Sequence, residues 1–166
     1  MIARCNQYLD DQVRQALIEV LKPLGGIEAF VKPGQKVLLK PNLLAGVPPA
    51  EAVTTHPALV RAAVELVLEA GGKACIGDSP GSDDQLRAHE KAGYADVAAA
   101  TGAELVIFNP TIKGVKGAKT LAVLPLTAEL EQVDFIINLA KLKTHSLTGL
   151  TGADFFPHKR LIWPES

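Results

Sequence analysis

The stretch Asp134–His145, reading Asp-Phe-Ile-Ile-Asn-Leu-Ala-Lys-Leu-Lys-Thr-His, narrows the choice of fold more than any other part of the chain. Phe135 to Ala140 is an apolar run interrupted only by Asn138, the pattern of a strand covered on both faces in a parallel sheet. The chain then turns basic. In extended backbone Lys141 and Lys143 share a face about 7 Å apart, and two ammonium groups at that separation repel by about 2 kcal/mol at an effective dielectric near 20. A strand end that gathers Lys141, Lys143, Thr144 and His145 suits an anion; the alternative is two lysines solvated in a loop.

The remaining elements fall in with that strand. A possible strand at Met1–Arg4 precedes a helix that Asp10 can cap, with Val13, Leu17, Val20, Leu21 and Leu24 at helical spacing and Gly25-Gly26 as its stop. Lys36–Lys40 and Lys73–Gly77 read as short strands, separated by the unpatterned loop Leu43–Thr55, a lid candidate, and by a helix opening at Pro57. That helix has Val60, Ala63, Val64, Val67 and Leu68 on one face and Arg61, Glu65 and Glu69 on the other. Ser82 or Asp83 can cap a helix over Gln85–Lys91, a further helix covers Ala95–Thr101, and Glu104–Phe108 is a third strand. Thr111–Pro125 reads as a hairpin or edge strand, and a short helix near Thr127–Gln132 leads back to Phe135. The alternation predicts a single α/β domain over residues 1–166. It is layered, with a mostly parallel open sheet, helices on both faces and a small hairpin or edge-strand excursion.

Composition bounds the partners. A chain of 166 residues with a formal charge of -1 has no overall basic field to gather nucleic acid. No apolar run approaches the length that spans a bilayer, and Met1-Ile-Ala-Arg-Cys-Asn lacks a signal-peptide core, so the reading is a cytoplasmic protein without membrane contact. Cys5 and Cys75 are the chain's two cysteines. They form no C-x-x-C pair, so this chain alone cannot build an iron–sulfur cluster or zinc ribbon. Cys75, inside a strand, reads as inert core.

Each candidate parallel strand is followed at once by small or polar residues: Lys40-Pro-Asn, Gly77-Asp-Ser-Pro, Asn109-Pro and Lys141-Leu-Lys-Thr-His. In an open α/β sheet these ends lie along one edge, where ligands of this architecture bind. Turn chemistry explains Asn, Asp, Ser and Pro in such places, but not the lysines and histidines. The expected ligand-binding residues are therefore Lys40, Asn42, Thr55, Ser79, Lys141, Lys143 and Thr144. His56, His145 and Asp78 are the candidates for moving protons. Thr54-Thr55-His56-Pro57 stands at a helix N-terminus, which favours an anion, although for Thr55 taken alone a simple helix cap is the preferred reading. His56 and His145 with Asp78 are also raw material for a divalent-metal site. Gly114-Val-Lys-Gly-Ala-Lys-Thr120 is not a phosphate loop, since Ala118 separates its glycine from its lysine and a strand-like run follows. No G-x-G-x-x-G follows a strand.

Val37-Leu-Leu-Lys-Pro-Asn-Leu43, Thr55-His56-Pro57, Gly77-Asp-Ser-Pro80, Gly93-Tyr94, Asp134–His145 and Leu150-Thr-Gly-Ala153 together resemble the bacterial and archaeal domain of unknown function 362 family, in sequence order. The resemblance covers the chain up to Ala153, while residues 154–166 depart from the family's Leu-Lys-Asn continuation. It implies no settled activity. Many members carry a ferredoxin-type cluster domain, which implies a redox context and a ferredoxin-like partner, and the fold looks distantly similar to nickel-pincer lactate racemases. The expectations are then an anion-binding α/β domain acting on a phosphorylated or carboxylated small molecule, a non-catalytic module serving a redox protein or metallocofactor, or an inactive truncated member. Sheet edge or apolar surface left open by a missing portion implies a homodimer.

Overall fold

The computed structural model describes residues 2–81, 84–114, 123–145 and 149–152. In chain order the main elements are α1 (Asp10–Leu21), β1 (Lys36–Pro41), α2 (Pro57–Glu69), β2 (Lys73–Ile76), α3 (Gln85–Lys91), α4 (Tyr94–Thr101), β3 (Glu104–Leu105), β4 (Pro110–Gly114), β5 (Val123–Thr127), β6 (Phe135–Leu139), β7 (Lys143–His145) and β8 (Gly149–Thr151). Residues 2–5 form no strand, so that expectation fails. The short segment packs beside α1 without a sheet neighbour to complete its backbone hydrogen bonds.

β1, β2, β3 and β6 make one parallel sheet in the order β3-β2-β1-β6. β1 is central, with Leu38 opposite Cys75 on one side and Ile136 on the other. Among the described residues β6 is an edge strand, yet both its faces are covered as its apolar run suggests: Phe135 and Ile137 pack toward the first core cluster and Ile136 toward the second, all three half-buried, while Asn138 is exposed. β4 and β5 pair antiparallel as the expected excursion, and β7 with β8 forms a second small hairpin. Asn109 roots the first excursion, its main-chain N–H and side-chain amide both donating to the Glu129 carboxylate.

The period-2 alternation of β1 divides the core. Val37 and Leu39 face α2, where Val60, Val64 and Val67 are wholly buried together with Ile76 and Tyr94. Burying each such valine contributes about 1.5–3 kcal/mol of transfer free energy. Leu38 points to the other face, against Cys75, Val106, Phe108 and Val133. Burial pushes the Cys75 thiol up to about 11, as expected of an inert core cysteine. Helical cover is present on both faces but unequal. α2, α3 and α4 bring buried residues to the first face, Val13 of α1 packs with Ala58 and Ala62 of α2 in a separate cluster, and the 3-10 helix Ala128–Gln132 brings Leu130 to the second face.

Capping differs from the sequence reading in detail. α1 begins at Asp10 and has no side-chain cap. Asp84, one residue beyond the expected pair, caps α3 by accepting from Arg87 N–H at 3.0 Å; Ser82 and Asp83 lie outside the described residues. Gly93 has φ +80° between α3 and α4, a left-handed turn that an L side chain resists. It lets Tyr94 enter the core at the first residue of α4. Among the described residues no helix is long and apolar enough to cross a membrane.

Candidate functional site

The C-terminal ends of β1, β2 and β6 bring most of the expected residues together. Lys40, last but one in β1, directs its ammonium to Asp78 just past β2, at 2.9 Å from Oδ1; both side chains are less than one-fifth exposed. The other Asp78 oxygen accepts from Leu43 N–H at 2.9 Å. The start of the long loop is thereby tied to β2. Lys40 and Asp78, with Asn42 and Ser79, line a cleft of about 590 Å³ whose remaining walls come from Leu43 and Leu44, Gln85, Phe108 and the root of the β4–β5 hairpin. The expected lid is thus a fixed wall over its first residues, with Gly81 N–H bonded to Leu44 O at 2.9 Å.

Thr55 is wholly enclosed by protein groups. Its hydroxyl donates to Leu139 O at 2.6 Å and accepts from Asn42 N–H, its own N–H donates to Asn42 O, and its carbonyl accepts from the Tyr94 hydroxyl at 2.7 Å. It welds the β1 end, the β6 end and α4 into one unit. The helix cap falls instead to His56, whose Nδ1 accepts from Ala58 N–H at 3.2 Å. In the neutral ring this puts the proton on Nε2. Tyr8 stacks on the imidazole at 3.8 Å between ring centroids.

Lys143 reaches back from β7 to donate to Val53 O at 3.0 Å, the same carbonyl that accepts from Asn42 Nδ2. One main-chain acceptor therefore joins the cleft to the basic corner. Burial, then the Lys141 charge, depress the Lys143 ammonium, with Asp78 opposing. His56 is likewise depressed by burial and by Lys141, against Asp10. Among the described residues neither Lys141 nor Lys143 has a carboxylate at ion-pairing distance. Thr144 is exposed on β7, and the His145 side chain lies outside the described part. Among the described residues no group of three or more histidine, cysteine or acidic side chains could hold an ion.

His89 is a site neighbour that strand-end reasoning misses. It is completely buried on α3, with Nδ1 2.7 Å from Gln85 O, and Nε2 has no hydrogen-bond partner among the described residues. Burial depresses its pKa, opposed by the Gln85 carbonyl and by Asp78. Its sequence context, Leu-Arg-Ala-His-Glu in a short helix, gives no cue to burial.

The family model for the domain of unknown function DUF362 matches residues 37–153, a span that holds all the strand-end groups named above, with Tyr8 and Asp10 preceding it. The chain belongs to the DUF362 family. A curated relative, the thylakoid-associated protein sll1697 of Synechocystis sp., is 37% identical over 150 residues, which is 90% of this chain and 46% of that protein. The chain spans about half the length of this DUF362 relative. No solved structure gives a significant match.

The charge arrangement makes a first prediction. Replacing Lys141 with alanine removes a positive neighbour common to His56 and Lys143, so protonation of both becomes easier. The His56 imidazole, titrated by NMR, is expected below 6.5 in the wild type and higher in Lys141→Ala, still held down by burial. An unchanged midpoint would mean that Lys141 points away from the ring.

Proposed function

We propose that this DUF362 domain binds a small anionic molecule, phosphorylated or carboxylated, along the ends of β1, β2 and β6, as a cytoplasmic enzyme. The observation that carries the reading is the pair Lys141 and Lys143, adjacent, mutually repelling and without an acidic partner among the described residues. An anion placed between them removes the repulsion and gains charge-assisted hydrogen bonds. Lys40 differs in role. Its charge is met by Asp78, so it orients that carboxylate rather than supplying free charge. His56, with its proton on Nε2, is the group for proton transfer on the bound molecule, while Asp78, both of whose oxygens are engaged by Lys40 and Leu43 N–H, holds the cleft wall in place. Asn42 fixes the Val53 carbonyl that positions Lys143.

Isothermal titration with inorganic phosphate tests this. Loss of one charge-assisted contact corresponds to an affinity drop of about ten- to a hundredfold, and that drop is expected for Lys143→Ala with an unaltered thermal midpoint. Affinity should also fall as salt rises. Equal affinity in the variant would overturn the assignment of Lys143, and absence of phosphate binding by the wild type would overturn the reading.

A further inference from the structure

Past Ser79 the cleft changes character. Lys40, Asn42, Asp78 and Ser79 all stand at strand ends, whereas the walls beyond them are formed chiefly by Leu43, Leu44, Phe108, Leu126 and Leu130. The amide of Gln85, which also lines the cleft, is occupied. Its Nε2 donates to Phe108 O and its Oε1 accepts from Phe108 N–H, each at 2.8 Å. This clamp fixes Phe108 as a strand neighbour would. Gly77 completes the wall, because a Cβ there would lie 2.7 Å from the Phe108 ring, a contact that only glycine avoids. A rigid aromatic wall thus continues from the polar strand ends. Leu44, which also lines the cleft, keeps 47% of its surface exposed.

Size points the same way. The 590 Å³ of the cleft amounts to about twenty waters at their liquid volume, much more than a bare phosphate or acetate fills, and lies inside the usual range for organic ligands. A polar end with one long apolar wall matches a molecule of two parts. We infer that the ligand is an amphipathic anion whose apolar body lies in the cleft along Leu44, Phe108 and Leu130 and whose phosphate or carboxylate head reaches past Asn42 to Lys143 and Lys141, which stand outside the cleft's own lining. This rests on the anion-binding reading above and adds the chemistry of the rest of the molecule. Asn42 stands where the two parts join, lining the cleft and bonded to the carbonyl that holds Lys143.

The test is a titration series of inorganic, ethyl, butyl and hexyl phosphate, with hexanoate and hexanol as head-group controls. Full burial of a methylene corresponds to about fourfold in affinity. A rise of about two- to fourfold per methylene is expected in the wild type and a shallower rise in Leu44→Ser, whose exposed position leaves folding intact; hexanol should bind far more weakly than either anion. The stronger of hexyl phosphate and hexanoate identifies the head. Phosphate binding with no dependence on chain length would overturn the amphipathic ligand and leave the anion site standing. Hexanol binding as well as hexyl phosphate would overturn the anionic head in both readings.

Discussion

Asp78→Ala is expected to destabilise the domain by about 3–5 kcal/mol, the usual cost of removing one member of a buried ion pair. The Lys40 ammonium would keep its largely enclosed position without a counter-charge, and Leu43 N–H would lose its acceptor. Urea denaturation, with the slope checked for constancy, gives the value directly. The asymmetry of buried pairs supplies the control. Removing both charges in Lys40→Met/Asp78→Ala leaves no uncompensated ammonium, so the double variant should be more stable than Asp78→Ala alone. If the double variant is instead the less stable, with the two effects simply adding, the pair is effectively solvated and does not organise the cleft.

How far the site was legible follows from what kind of interaction each residue makes. Lys40, Asn42, Asp78 and Ser79 were found by a rule of topology alone, because parallel strands of one sheet end along one edge whatever their order. Their partners were not legible. Lys40 and Asp78 are 38 residues apart, and which strand lies beside β1 is decided by tertiary packing rather than by either segment's own pattern. The apolar run of β6 shows the same gap. Phe135, Ile136 and Ile137 promise a buried strand, yet the described sheet ends there, and the period of a strand says nothing about neighbours on its hydrogen-bonding side. Thr55 and His56 exchanged the roles that propensity assigns. Threonine is among the preferred caps and histidine is not, but the Thr55 hydroxyl is committed to Leu139 O, so the adjacent imidazole takes the cap. Local rules gave way wherever a long-range hydrogen bond competed for the same atom.

Tyr94 is the residue whose weight the sequence conceals most. It opens α4 after Gly93, is completely buried, stands edge-on to His89, and donates its hydroxyl to Thr55 O. Burial holds the phenol well above its ordinary range, so it remains a donor at any working pH. Tyr94→Ala is expected to cost about 3–5 kcal/mol, as for other buried aromatics cut to alanine. Tyr94→Phe, which keeps the ring, should cost about 1–2 kcal/mol for the unmet Thr55 carbonyl. The second variant carries the functional content. Thr55 fixes Asn42 and Leu139, and Val53 two residues before it holds Lys143, so loosening Thr55 should slacken the basic corner while the core stays packed. Phosphate affinity should therefore fall in Tyr94→Phe even at temperatures where the variant is fully folded. A variant with reduced stability and wild-type affinity would confine Tyr94 to the core and separate the strand-end site from α4; wild-type values of both would mean that the Thr55 carbonyl finds water when the hydroxyl is gone.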